Sequence, residues 1–236
     1  MTWKKIDQAG HLYEQNALPQ EPGMTEAQAF LQQFSRALAR ISAELYEVIE
    51  ELPIDSERQV QAVVLPAMQK TAQAVCVEVP IERKKSRRES VTGRIDYWVY
   101  YKDYVFLIEL KLAWVAARPS INITSAASQY WAEILGQLKQ IPKREAEYFT
   151  MPSGKILKMA MLLAPGYQSS KKQIEPFGKA TALELHQHLL AALDKNQPPN
   201  WSCVWAFARH MQTYQYDEGS YETYPGMSIV TRVMPV

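Results

Sequence analysis

With 236 residues, 47% of them apolar and 22% charged, the chain has the makings of a buried core, which excludes a disordered or low-complexity protein. A formal net charge of +1 names no partner, so any contact with a polyanion has to come from a local stripe of charge. Two distant cysteines, Cys76 and Cys203, argue against a disulfide framework, and no apolar run approaches the ~18 residues that span a bilayer. The opening MTWKKIDQAGHLYEQ has no apolar signal segment, so a soluble, reduced, cytoplasmic protein without a membrane partner is expected.

Residues up to about Met24 are polar and interrupted by Pro19, Pro22 and Gly23, and are expected to form a loose leader. Thr25 with Gln28 three residues later forms a capping box that opens a helix, and Pro53 closes it. Leu31, Phe34, Leu38, Ile41, Leu45, Val48 and Leu52 lie along one seam of that helix, at alternating spacings of three and four. The seam either packs into its own domain or pairs with a second copy in a homodimer. Ser56 with Gln59 opens a second helix, which carries Pro66.

AVCVEVPIE then reads as a strand, followed by RKKSRRES with five basic residues between Arg83 and Arg88: Arg83, Lys84, Lys85, Arg87 and Arg88. GRIDYWVYYKDYVFLIELK predicts two strands around a polar turn. SAASQYWAEILGQLKQI predicts a helix with Trp131, Ile134, Leu135, Leu138 and Ile141 on one side. KILKMAMLLAP reads as a buried strand, TALELHQHLLAALDK as a helix capped by Thr181 with Glu184, WSCVWAFARHMQTY as a strand, and MSIVTRV as a short last one. The order α, α, β, β, β, α, β, α, β indicates an α/β sheet with helices on both faces.

The hairpin is the place where composition and chemistry conflict. If Lys102 and Asp103 are a two-residue turn, Tyr101 faces Tyr104 and Asp96 comes opposite Glu109. Opposed side chains on antiparallel strands have Cβ atoms roughly 4.5 to 5.5 Å apart. Two carboxylates there repel by about 1 kcal/mol in water and about 4 in a protein-like medium, and burial adds to that. Glu109 and Lys111 share a face because side chains alternate. A hard divalent cation such as Mg²⁺ or Mn²⁺ would turn the repulsion into coordination. The competing reading is a solvated pair of acids near strand ends with Lys111 as ion-pair partner.

An Asp, a hairpin, then Glu-x-Lys, preceded by a helix with an N-terminal Glu and followed by a helix with Gln, resembles the PD-(D/E)xK nuclease superfamily. The resemblance rests on Asp96 in GRID, Glu109 and Lys111 in ELK, Glu57 in SERQV and Gln129 in SQYW, and spans about residues 54 to 210. Ile95 stands where that pattern has Pro. The resemblance implies a restriction-endonuclease-like central mixed β-sheet flanked by helices over 54–236, with residues 1–53 as a helical extension.

It also implies metal-dependent phosphodiester hydrolysis, in DNA with RNA as the alternative substrate, in a setting such as DNA repair or phage defence. Asp96, Glu109 and the Leu110 carbonyl would hold the metal, and Glu57 would complete the set directly or through water. The metal would polarise the phosphate and activate a water. Lys111 would orient that water or stabilise the developing charge, with Gln129 or its rival Gln137 positioning it. The alternatives for Glu57 and Gln129 are a first-turn acid that favours the helix dipole and a plain surface glutamine. The basic run would grip a phosphate backbone, extended by Lys143, Arg144, Lys155 and Lys158, or would be a solvated loop. The runner-up function is a catalytically silent copy of the fold that binds nucleic acid or protein. His186 and His188 are two apart on a helix, poor spacing for joint metal ligation, and are expected to be core or surface residues.

Overall fold

The computed structural model of the chain describes residues 2–52, 54, 56–84, 89–117, 122–123, 125–148 and 155–236. It is a mixed α/β protein whose strands form one twelve-stranded sheet flanked by helices. The elements run β1 (Lys4–Ile6), β2 (Gly10–Asn16), α1 (Met24–Ile49), α2 (Glu57–Thr71), β3 (Ala74–Lys84), β4 (Ser90–Tyr101) and β5 (Tyr104–Leu112). After the short β6 (Val115–Ala116) and β7 (Asn122–Ile123) come α3 (Ser125–Gln140), α4 (Lys143–Tyr148), β8 (Lys155–Ser170), α5 (Lys179–Ala192) and β9 (Trp201–Phe207). A 3₁₀ turn, β10 (Thr213–Gln215), β11 (Tyr221–Thr223) and β12 (Gly226–Pro235) complete the chain.

The main path through the sheet is β1-β2-β9-β12-β8-β5-β4-β3. Along this path only the β5–β8 pair is parallel. A parallel neighbour needs a crossover, and α3 and α4 supply it. Helices α1 and α2 cover one face through Phe30, Phe34, Leu38 and Met68, which meet Phe106, Ile108 and Ile229. Helices α3 and α5 cover the other through Trp131, Leu138 and Leu189, which meet Leu107, Leu162 and Val230. With both faces covered, the central strands become continuous apolar runs, as in LKMAMLLAP of β8, instead of alternating.

The N-terminal leader is not loose. β2 pairs with β9 from Gly10↔Phe207 to Asn16↔Trp201, and Leu12 is fully buried. Gly10 has φ 113°, and a Cβ there would lie 2.2 Å from the Ala206 carbonyl oxygen, so glycine is what lets the chain meet β9. Trp205 Nε1 donates to the Ala9 carbonyl at 2.7 Å and ties the turn down. Ile6, Leu12 and Phe30 share one core with Met227 and Ile229, so β1, β2 and α1 belong to the sheet and its core instead of being appended to them.

Helix α1 starts one residue before Thr25, after Gly23 at φ 88° and with no side-chain cap, and it ends at Ile49, capped by Glu50, before Pro53 is reached. A side chain at position 23 would meet the Tyr104 ring at 2.4 Å, so packing selects the start. Leu31, Phe34 and Leu38 of the seam are fully buried inside the chain, which leaves no coiled-coil surface along that stretch. Further along the seam Ile41 and Leu45 are part-buried, Val48 is exposed and Leu52 is buried. Helix α2 begins as expected, with Ser56 Oγ accepting from the Gln59 amide at 3.2 Å, and Pro66 does not end it. Helix α5 begins at Lys179 after an uncapped Gly178, which puts Thr181 inside the helix and not at its cap. The short last strand is instead ten residues long and central, between β8 and β9. Among the described residues no helix is long and apolar enough to cross a membrane.

Candidate functional site

Lys102 and Asp103 adopt φ 46° and 64°, the left-handed pair of a type I′ turn. The ladder runs from Tyr101↔Tyr104 to Tyr97↔Ile108, so the next positions inward are Asp96 and Glu109. The two-residue turn therefore brings the two acids to one place. Glu109 is 2% exposed and Asp96 is half-buried. Asp96 Oδ2 accepts from the Leu110 amide at 2.7 Å, which draws its carboxylate over β5.

Strand alternation breaks at this point. On β4, Tyr97, Val99 and Tyr101 pack toward α1 and α2, whereas Ile95 packs toward α3. On β3, Val75 and Ile81 divide in the same way. The residue between the two regimes on β3 is Glu78, at φ 53°, where the β3–β4 ladder skips from Val77↔Tyr97 to Val79↔Ile95 and leaves Asp96 unpaired with it. Such an irregularity re-aims a side chain where a regular pleat would direct it into one core or the other.

Burial is the largest influence on both acids. Together with the Asp96 charge it pushes the Glu109 carboxyl up to about 8, against the Arg83 guanidinium and Lys111. Burial also raises Asp96, opposed by the Leu110 amide and Lys111 and reinforced by Glu78 and Glu57. Lys111 loses hydration too, but Glu57, Glu133 and Asp96 more than offset it and hold the ammonium above its usual range. Its Nζ lies 3.6 Å from Glu57 Oε1, and the same oxygen is 3.5 Å from the Leu112 amide. Glu57 thus reaches the patch from the first turn of α2, beside the lysine. Among the described residues no three Asp, Glu, His or Cys side chains group as a metal cage. The patch offers two carboxylates and the Leu110 backbone, a set that suits Mg²⁺, which keeps several waters and takes one or two protein carboxylates.

Two further residues reach the site's rim, Arg83 of the basic run and Glu133 of α3, neither of which a linear reading places there. Arg83 pairs through Nη2 with Glu109 Oε1 and the Arg94 carbonyl, and its side chain is 12% exposed. It lies inward on the sheet instead of pointing to solvent with Lys84, which is exposed. Glu133 on α3 acts on Lys111 and accepts from Gln137 Nε2 at 3.2 Å, while Gln137 Oε1 is buried without a hydrogen-bond partner. Gln129 is exposed two turns before Gln137, so the glutamine of α3 that bonds Glu133 is Gln137. The i, i+4 spacing of Glu133 and Gln137 is the sequence signal that joins them.

Lys85, Arg87 and Arg88 lie outside the described residues. The suggested extension of the basic track does not form one stripe. Lys158 is buried and donates to the Ile141 carbonyl at 2.7 Å. Lys155 stacks over Tyr104 at 5.5 Å, Lys143 lies 3.8 Å from Glu147, and Arg144 lies 3.9 Å from Glu82. Tyr97, Tyr101 and Tyr104 are buried in the core. His186 is fully buried with Nε2 3.1 Å from Ser202 Oγ, and His188 is exposed.

Comparison with family models, with curated proteins and with solved structures returned no match.

Proposed function

We propose that the chain is a metal-dependent nuclease that hydrolyses phosphodiester bonds, in DNA with RNA as the alternative substrate. The observation that carries this reading is the type I′ turn at Lys102–Asp103, whose register gathers Asp96 and Glu109 beside Lys111. The succession α2, β3, β4, β5, α3, β8, with β5 and β8 parallel, supports it, since the resemblance implies a mixed sheet between helices.

Asp96, Glu109 and the Leu110 carbonyl are the groups to hold Mg²⁺ or Mn²⁺, and Glu57 is placed to join them through water. The close approach of half-buried Asp96 to buried Glu109, each raised by loss of hydration, is what fits them to a cation. When bound, such an ion supplies Lewis-acid polarisation of a phosphoryl oxygen and a more acidic water. Lys111 keeps its proton, because three carboxylates surround it, and offers its ammonium to the charge that grows on phosphate oxygen. Glu57 and Glu133 position that ammonium, and Gln137 fixes Glu133.

One observation favours the silent binding module instead: Arg83 already neutralises Glu109. The test is incubation with plasmid, single-stranded DNA and RNA in Mg²⁺, Mn²⁺ or EDTA. Cleavage that requires metal and falls by roughly 10²-fold or more in Glu109→Ala and Lys111→Ala is the expected result. Wild-type protein that cuts none of the three substrates favours the binding module, and cleavage that survives Asp96→Ala removes the site.

A further inference from the structure

We infer that Arg83 is a displaceable internal counterion, and that its guanidinium and a divalent cation compete for the Glu109 carboxylate. The inference rests on the reading of Asp96 and Glu109 as metal ligands. Arg83 stands at the ladder position opposite Val91, and its side chain runs back along β4 to the Arg94 carbonyl and Glu109. The path is open because residue 93 is glycine: a Cβ there would lie 2.8 Å from Arg83 Nε and 3.0 Å from Cδ. The sheet therefore contains a seat for this side chain.

Two properties of the seat make it a competitor and not a permanent brace. A guanidinium has five donors and no acceptor, so it can neutralise a carboxylate but can never share a metal's coordination shell. A divalent cation at the same oxygen would meet a fixed positive charge in a place where water screens little. The seat is also incompletely satisfied, since Arg83 Nε is buried without a hydrogen-bond partner. Release of the side chain exposes that N–H to water, which recovers part of the cost of breaking the ion pair. The two acids would then exchange one counterion for another of higher charge.

The test is calorimetric titration of Mn²⁺ into the full chain, without nucleic acid, for wild type and four variants whose folding is checked by circular dichroism melting. Arg83→Gln is expected to bind Mn²⁺ about tenfold more tightly than wild type, because the competitor is gone. Gly93→Ala keeps the arginine but blocks its seat, and is expected to tighten binding in the same direction. Arg94→Gln removes a nearby exposed cation that pairs with Glu78 and not with Glu109, and is expected to change affinity by less than about twofold. Glu109→Gln is expected to abolish binding. Equal Mn²⁺ affinity in wild type, Arg83→Gln and Gly93→Ala, still lost in Glu109→Gln, overturns the competition and leaves the metal site standing. If Arg83→Gln does not fold, an unchanged affinity in folded Gly93→Ala overturns it alone. An Arg94→Gln effect as large as that of Arg83→Gln also overturns it, as bulk charge would then be the cause. Absence of Mn²⁺ binding in every form overturns both the competition and the metal site.

Discussion

The two halves of the sheet solve opposite problems. Strands β8, β12 and β9 pair in unbroken register, and β9 is buried along its whole length from Trp201 to Phe207. Strands β3 and β4 have exposed outer reaches, Val77 and Val91 among them, a left-handed Glu78 and a switch of faces at Asp96. The first half is apolar and regular, because regular pairing satisfies every backbone group where water is absent. In the second half, acids gather beside the rim at the point where regularity is given up. The contrast teaches that stability and the candidate chemistry reside in different strands, with β5 as the seam between them.

The sharpest way to break this comparison is a pair of truncations. Ile229→Ala, at a fully buried position of β12, is expected to cost about 2 to 5 kcal/mol in urea unfolding, since it opens a cavity that cannot collapse. Val77→Ala, on the exposed reach of β3, is expected to cost about 0.5 kcal/mol or less. Equal losses would mean that the two halves are not distinct.

A pH profile tests the apolar half next. Burial lowers His186 to about 4, so its folded-state pKa lies below the unfolded value and the unfolded chain takes up the proton first as pH falls. The stability that depends on neutral His186 is complete above about pH 6.5 and is lost progressively down to about pH 4, by about 3 kcal/mol in all. Unfolding free energies measured between pH 7 and 4 are expected to fall less steeply in His186→Gln than in wild type. An identical slope would show that this histidine is not the group responsible.

Two smaller changes sharpen the acid half. Ser56→Ala removes the acceptor for the Gln59 amide at the start of α2 and is expected to cost about 1 kcal/mol. As Glu57 is the next residue, looser capping should also lower cleavage more than the stability loss explains. Replacement of Lys102 by Asn together with Asp103 by Gly places residues suited to φ above zero in the turn. A gain of about 0.5 kcal/mol with unchanged cleavage is expected; a loss of cleavage would mean that the turn does not set the register of Asp96 and Glu109.

Much of this was legible in the chain because it is local. Lys102–Asp103 between tyrosines sets a turn, and a turn sets the register of every residue behind it, which carries Asp96 and Glu109 to the same level of the hairpin. The apolar stripe of α3 was legible for the same reason: Trp131, Ile134, Leu135, Leu138 and Ile141 are all buried. Other features were not local. Lys4–Ile6 and Gly10–Asn16 are short and mostly polar, and become strands because β9 offers an edge to the second and the second offers one to the first.

The sequence by itself determined the order of the long elements from α1 onward, though not the short β6, β7, α4, β10 and β11, together with the hairpin and the kinds of groups at its inner end, since propensity, period and turn chemistry act over a few residues. Tertiary structure alone decided that the leader belongs to the sheet, that the α1 seam from Leu31 to Leu38 is consumed inside the chain, and that Gln137, not Gln129, bonds the Glu133 whose charge acts on Lys111. It also decided that Arg83 turns inward onto Glu109, because Gly93, ten residues along the chain but diagonal to it across the ladder, leaves the space for its side chain to lie there.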